Sequence, residues 1–177
     1  ITLDTSSDGT GRTIDITGAT FNPGSIAVDD NVTVTMTAAQ ANAETITGAG
    51  TVIVTGLQAT TDLAAVSVAA LTLQLAGDIT YTGAVHGTPA ITLDTSSDST
   101  ARTVDITGAT FNPASIAVDN DVTVTMTAAQ ANGETITGAG TVIVTGLQAT
   151  TNLAVVSVTT LTLQLAGDIT YTGTVHT

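Results

Sequence analysis

The sequence has no cysteine, no tryptophan and no lysine, and its only aromatic residues are Phe21, Tyr81, Phe111 and Tyr171. Each scarcity narrows what the chain can be. Without large rings, a core must be filled by Val, Ile, Leu and Ala. That suits two close β-layers or the narrow interior of a solenoid better than a deep globule. Arg12 and Arg102 are the only strong cations against 15 carboxylates, and the net charge is −13. Nucleic acid is thereby excluded as a partner, because phosphate binding needs cationic clusters. Docking on anionic lipid is disfavoured for the same reason. No apolar run reaches the roughly 18–20 residues of a membrane span, so membrane insertion is not expected. The calcium-binding GGxGxD nonapeptide of some secreted solenoids is also missing. No signal peptide is visible, and the chain opens without Met in the strand-like run ITLDT. It is expected to be a processed or excised piece of something longer.

What is present, above all, is repetition. Residues 1–87 recur as residues 91–177 with 13 differences in 87 aligned pairs. The differences are Gly/Ala, Ala/Thr, Ile/Val, Asp/Asn and similar exchanges that keep the apolar–polar pattern. A period of 90 residues is the mark of a repeat architecture. The organisation read from it is a first repeat at 1–87, a junction at 88–90 and a second repeat at 91–177. Two near-identical tandem copies suit a stalk, fibre or adhesive array better than an enzyme. Thr is the dominant residue, with 19 in residues 1–90 and 22 in 91–177. It is β-branched and favours half-buried pleated surfaces.

Alternation with period 2 pervades each copy. Strands are expected at 1–5, 13–17, 25–28, 32–37, 44–47, 51–55, 66–68, 71–75 and 79–82, and again 90 residues later. In VTVTMT, Val32, Val34 and Met36 share one face, and Thr33, Thr35 and Thr37 the other. Segments such as SSDGTG, GATFNPG, VDDN, GAG and AGD separate the strands as turns. Two short stretches could form a helical turn. These are 38–43, rich in helix formers, and 59–65, with Thr60 or Thr61 as N-cap. The expected class is all-β, a parallel β-solenoid whose short strands are paired above and below by neighbouring coils. The alternative is two tandem immunoglobulin-like β-sandwiches.

The strongest chemical motif is Asp4, Ser6, Asp8 and Gly9, followed by Asp15. That spacing sets oxygen ligands at positions 1, 3, 5 and 12 of a calcium loop, with Gly at position 6. The second copy offers Asp94, Ser96, Asp98 and Asp105, but Ser99 replaces the Gly. The twelfth ligand is Asp where the loop usually has a bidentate Glu. The competing reading is a polar turn rich in Ser and Asp. Asp29, Asp30 and Asn31 form a second acidic corner, matched by Asp119, Asn120 and Asp121. His86 and His176 each stand apart from other metal ligands and read as lone surface residues. No nucleophile elbow accompanies Ser6 or Ser7. Arg12 is expected to pair with Asp4 or Asp15, as a structural contact. Outward Thr rows such as TVTMT raise ice binding as a further alternative, set against plain β-propensity.

Residues 32–83 and 122–173 contain the pattern TAAQAN, TITGAGTV, then LAGDITYTG. In this they resemble the Thr/Ala/Gly-rich tandem repeats of giant adhesin-like bacterial cell-surface proteins. The resemblance implies a secreted or surface-attached structural polymer with adhesion as its role, and it carries no catalytic residues. Expected partners are further copies of the same repeat, and surface glycans or other cells. No cofactor other than calcium is expected.

Overall fold

The computed structural model describes residues 1–5, 9–21, 23–87, 89–95 and 98–175. In the first copy the strands are β1 (Thr2–Leu3), β2 (Arg12–Asp15), β3 (Ile26–Val28), β4 (Val32–Thr37), β5 (Ile46–Gly48) and β6 (Thr51–Thr55). They continue with β7 (Val66–Ser67), β8 (Ala70–Gln74), β9 (Ile79–Thr80) and β10 (Ala84–His86). The second copy holds β11 (Ala90–Asp94), β12 (Arg102–Asp105), β13 (Thr110–Asn112), β14 (Ser115–Val118), β15 (Val122–Thr127), β16 (Ile136–Thr145) and β17 (Val156–Gln164). One-turn helices α1 (Ala38–Ala41) and α2 (Ala128–Ala131) follow β4 and β15.

Strand pairing is parallel throughout the described residues, as in β4 on β6 and β8 on β11. A sandwich of hairpins would pair its strands antiparallel, so the chain is a parallel β-solenoid. Stacked partners are 18 to 20 residues apart along most of the rod, as in Thr33 to Thr51 and Arg12 to Val32. The separation rises to 25 from Thr2 to Ala27 and from Ile91 to Ile116. Parallel strands normally need long crossovers, and here each crossover is one circuit of the coil.

The alternation read in the sequence decides which side of the wall faces inward. Val32, Val34 and Met36 are buried while Thr33, Thr35 and Thr37 are half-buried. Across coils, like residues stack into columns. One inward column runs Ile14, Val34, Val52, Leu71, Ile91, Ile116, Ile136, Val156, one residue per coil over about seven turns. Every member is apolar, and all but Ile14 are buried. Aliphatic columns of this width fill the interior without large rings. The exceptions sit on the third side of the coil. There Tyr81 meets Phe111 edge to face, with centroids 6.3 Å apart and planes at 88°.

The same column shows how the copies join. Four turns lead from Ile14 to Ile91. Val104, the counterpart of Ile14, lies on the next strand, where it pairs with Ile79. So β11 rests on β8, although in the first copy the counterparts of these strands lie on adjacent sides. One repeat is four turns plus one face of the coil.

Turn chemistry explains the tight steps. Gly48 has φ 127°, and a Cβ there would collide with the carbonyl oxygen of Val28 in the coil below. Gly138 stands against Val118 in the same way. Only glycine passes at this corner. The helical turn at 38–43 forms as expected. Its N-cap Thr37 accepts from the Gln40 N–H while Gln40 Oε1 accepts from the Thr37 N–H, a reciprocal capping box. The stretch 59–65 forms no helix. Its Thr61 hydroxyl is turned back to accept from the Gln58 N–H at 3.2 Å. Thr61 therefore braces a non-helical turn instead of opening a helix.

Candidate functional site

The calcium-like motif occupies one corner of the coil. Residues 4–11 join β1 to β2, whereas three residues, 29–31, join β3 to β4. The corner is thus longer by the five residues that lengthen that coil. Ser6, Asp8 and Ser96 fall outside the described residues. Asp15 closes β2, and its carboxylate accepts from the Thr17 hydroxyl at 2.7 Å and the Thr17 N–H at 2.9 Å. Those two bonds, the hydroxyl first, hold the Asp15 carboxyl below its usual range. Asp105 is held by Thr107 in the same way. Asp94 ends β11, with Oδ2 3.3 Å from Gln74 Nε2 of the preceding coil.

Asp98 accepts from the Thr100 N–H at 3.0 Å and forms an ion pair with Arg102. The Thr100 N–H, and then the guanidinium charge, lower its pKa. At this exposure the pair is worth little in stability. Arg102 also donates from Nε to the Leu75 carbonyl at 3.0 Å, across the junction between copies. The second acidic corner is self-contained. Asp29 Oδ1 accepts from the Asp30 N–H and Asp30 Oδ1 from Asn31 Nδ2. His86 ends β10 and is exposed, and His176 lies outside the described residues. Among the described residues, no group of three or more His, Asp or Glu side chains is close enough to hold a metal ion.

The third side of the coil carries polar contacts that the motifs did not announce. Gln40 Nε2 donates to the carbonyls of Ile16 and Ala19 in the coil below, and Gln130 does so to Ile106 and Ala109. The signal was legible in T-A-A-Q, a capping-box spacing. Tyr81 donates its hydroxyl to the Thr61 carbonyl at 2.7 Å, and burial, followed by the charge of Asp62, pushes its phenol pKa up. Glu134 has a buried Oε1 with no hydrogen-bond partner, and burial raises its carboxyl pKa. It borders an open cleft of about 370 Å³ beside Phe111 and Gln130.

The outer wall is a set of short rows. One runs Asp15, Thr35, Ile53, Thr72, Thr92, Ala117, Thr137, Ser157. Ile53 and Ala117 interrupt its line of hydroxyl groups.

Stacked parallel coils, aliphatic columns and a small-polar outer wall define a repeat rod of the β-solenoid class. The family model for the haemagglutinin repeat matches residues 8–62, 55–112 and 100–173, and the chain belongs to that family. This agrees with the resemblance to adhesin-like repeats of large bacterial surface proteins. The second match runs through the junction at 88–90, as strand pairing does. No curated protein and no solved structure matches the chain significantly. Among the described residues, no helix is long and apolar enough to cross a membrane.

Proposed function

We propose that the chain is a non-catalytic, structural and adhesive module of a large extracellular bacterial surface protein or filament. The observation that carries this reading is the unbroken ladder of parallel coils through both copies, in a chain of the haemagglutinin-repeat family. Backbone hydrogen bonds along the axis bear load in such a rod, and the Thr/Asp wall keeps it hydrated. Surface glycans or other cells are the partners a hydroxyl-rich wall would meet. The test is display of tandem arrays on a non-adherent cell. Attachment to cells or glycan-coated surfaces should rise with copy number through multivalency. Attachment equal to that of the bare cell at every copy number would contradict the adhesive role.

Calcium stiffening is a second reading, favoured by the length of the 4–11 corner and its Asp and Ser oxygens. Under it, Asp4, Ser6, Asp8 and Asp15, and Asp94, Ser96, Asp98 and Asp105, supply the ligands. Calcium should then raise the melting temperature and a chelator reverse the rise, while an unchanged melting temperature removes the cation from the account. Ice binding is read by thermal hysteresis, and its absence leaves the structural role alone.

A further inference from the structure

The same polar cleft occurs in each repeat, on the third side of the coil. In the first copy, α1 and its C-cap supply Ala38, Ala39 and Asn42 to one wall. The non-helical turn of the next coil supplies Gln58, Thr60 and Thr61 to the other. The cleft measures about 290 Å³, and the residues 90 positions on line one of about 340 Å³ in the second copy. Both lie near the lower end of the range for small-ligand sites, about 300–1,000 Å³. Coils flank the first-copy cleft on both sides. Gln40 Nε2 donates to the Ile16 and Ala19 carbonyls on one side, and the Tyr81 hydroxyl donates to the Thr61 carbonyl from the other. The cleft is therefore a feature of the middle of the rod. Its two carboxamides are each pinned by a hydrogen bond. Asn42 Oδ1 accepts from the Asp62 N–H at 2.8 Å, which leaves Nδ2 to donate. Gln58 Nε2 donates to the Gly56 carbonyl at 2.8 Å, which leaves Oε1 to accept. Asn132 and Gln148 are held in the same way, by the Asn152 N–H and the Gly146 carbonyl. Thr60 and Thr150 stand exposed beside them. Among the described residues, no charged side chain lines either cleft.

We infer that each cleft is a binding site for the ring of an uncharged saccharide. Sugar hydroxyl oxygens accept from Asn42 Nδ2, sugar hydroxyl protons go to Gln58 Oε1, and the C–H face of the ring covers the Ala38 and Ala39 methyls. Because both carboxamides are held before the ligand arrives, little side-chain freedom is lost on binding. An acidic sugar would meet a chain of net charge −13 with no cation at the cleft to hold it. A peptide would need an unpaired strand edge or a pocket for an apolar side chain. A cleft between two turns, floored only by alanine methyls, offers neither. The sites are open, so a single ring binds weakly and a tandem array gains by multivalency. Four turns plus one face in each repeat put successive clefts on successive sides of the rod. The inference rests on the adhesive reading for its biological use, and names the ligand class behind it.

The test follows the side-chain amide NMR signals of the full chain during titration with methyl glucoside, methyl galactoside and methyl mannoside. Glucuronate is the charged comparison. At least one uncharged sugar should shift the Asn42, Gln58, Asn132 and Gln148 signals along a saturable curve, with glucuronate weaker by roughly tenfold. Ala39→Leu with Ala129→Leu fills both clefts. Both alanines are exposed, and leucine is nearly as good a helix former as alanine. Circular dichroism should therefore stay that of the parent while the shifts disappear. Thr60→Ala with Thr150→Ala removes only exposed hydroxyls and should weaken binding by about fivefold. No shift with any of the uncharged sugars, shifts that survive the leucine pair, or glucuronate bound as well as the uncharged sugars would each overturn the inference. Binding is read on the isolated chain, so its absence leaves the adhesive reading standing. Sugar binding by a chain whose arrays never attach to cells would instead overturn the adhesive reading and not this one.

Discussion

Several of the 13 differences between the copies act as substitutions already made in the same fold. Position 43 of the first copy and position 133 of the second follow the one-turn helices. Both have left-handed backbone, with φ 58° at Ala43 and 74° at Gly133. A β-carbon in that region costs about 1 kcal/mol, whereas glycine enters it freely. Ala43→Gly should therefore stabilise the chain by about 1 kcal/mol, and Gly133→Ala should destabilise it by a similar amount, measured by urea unfolding. Position 99 carries the same asymmetry, with Ser99 at φ 50° where the first copy has Gly9.

Glu134 adds a pH dependence at the same scale. Its carboxyl pKa is raised in the fold by burial, so the folded state prefers the protonated form. The penalty is absent below the unfolded carboxyl pKa, grows as pH rises toward the folded one, and is constant above it. Glu134→Gln should raise the melting temperature at pH 7 and change it little at pH 4. An equal rise at both pH values would show that ionisation is not the cause.

At the scale of the element, identical sequences form different structure according to what lies on them. Ile79 and Thr80 form β9 because β12 pairs with them. Ile169 and Thr170, expected as a strand, form none. Backbone that lacks a neighbouring coil has no ladder to join, and no local pattern encodes that. The reverse occurs at Ala84–His86, a strand that local alternation did not mark and that the pairing with β13 creates. By contrast, Val32–Thr37 and Thr51–Thr55 were legible to the residue, because both faces of those strands are fixed by strict alternation.

The 20-residue coil was hidden from the sequence for two reasons. The 90-residue identity dominates any comparison, and the long 4–11 corner breaks the shorter rhythm. The candidate site was only partly readable. The Ser/Asp corner was visible as a motif, but which group each carboxylate would meet depended on Thr17, Thr107 and Arg102. The coupling of position to context gives a paired test. Leu73 is buried between coils, and its counterpart Leu163 is half-buried. Leu73→Ala should cost about 3 kcal/mol, within the range for a buried leucine. Leu163→Ala should cost under about 1 kcal/mol, since less apolar surface leaves its shelter. Equal losses in denaturant unfolding would mean that the terminal coil is as well covered as the middle ones.

For the whole molecule, stability is expected to be nearly additive along the axis, as each coil touches only its neighbours. The repeat is then a unit of length. Its near-identity keeps each column apolar, and the four turns plus one face that it contains carry the wall continuously from one copy into the next. The central claim is that both copies form one continuous solenoid. It is tested most directly by small-angle scattering from arrays of two, four and six repeats. The account predicts that the long dimension grows by ~21 Å for each added 90 residues, the rise of four and a third coils. Growth of about 40 Å for each added repeat, as serial sandwich domains would give, would contradict it.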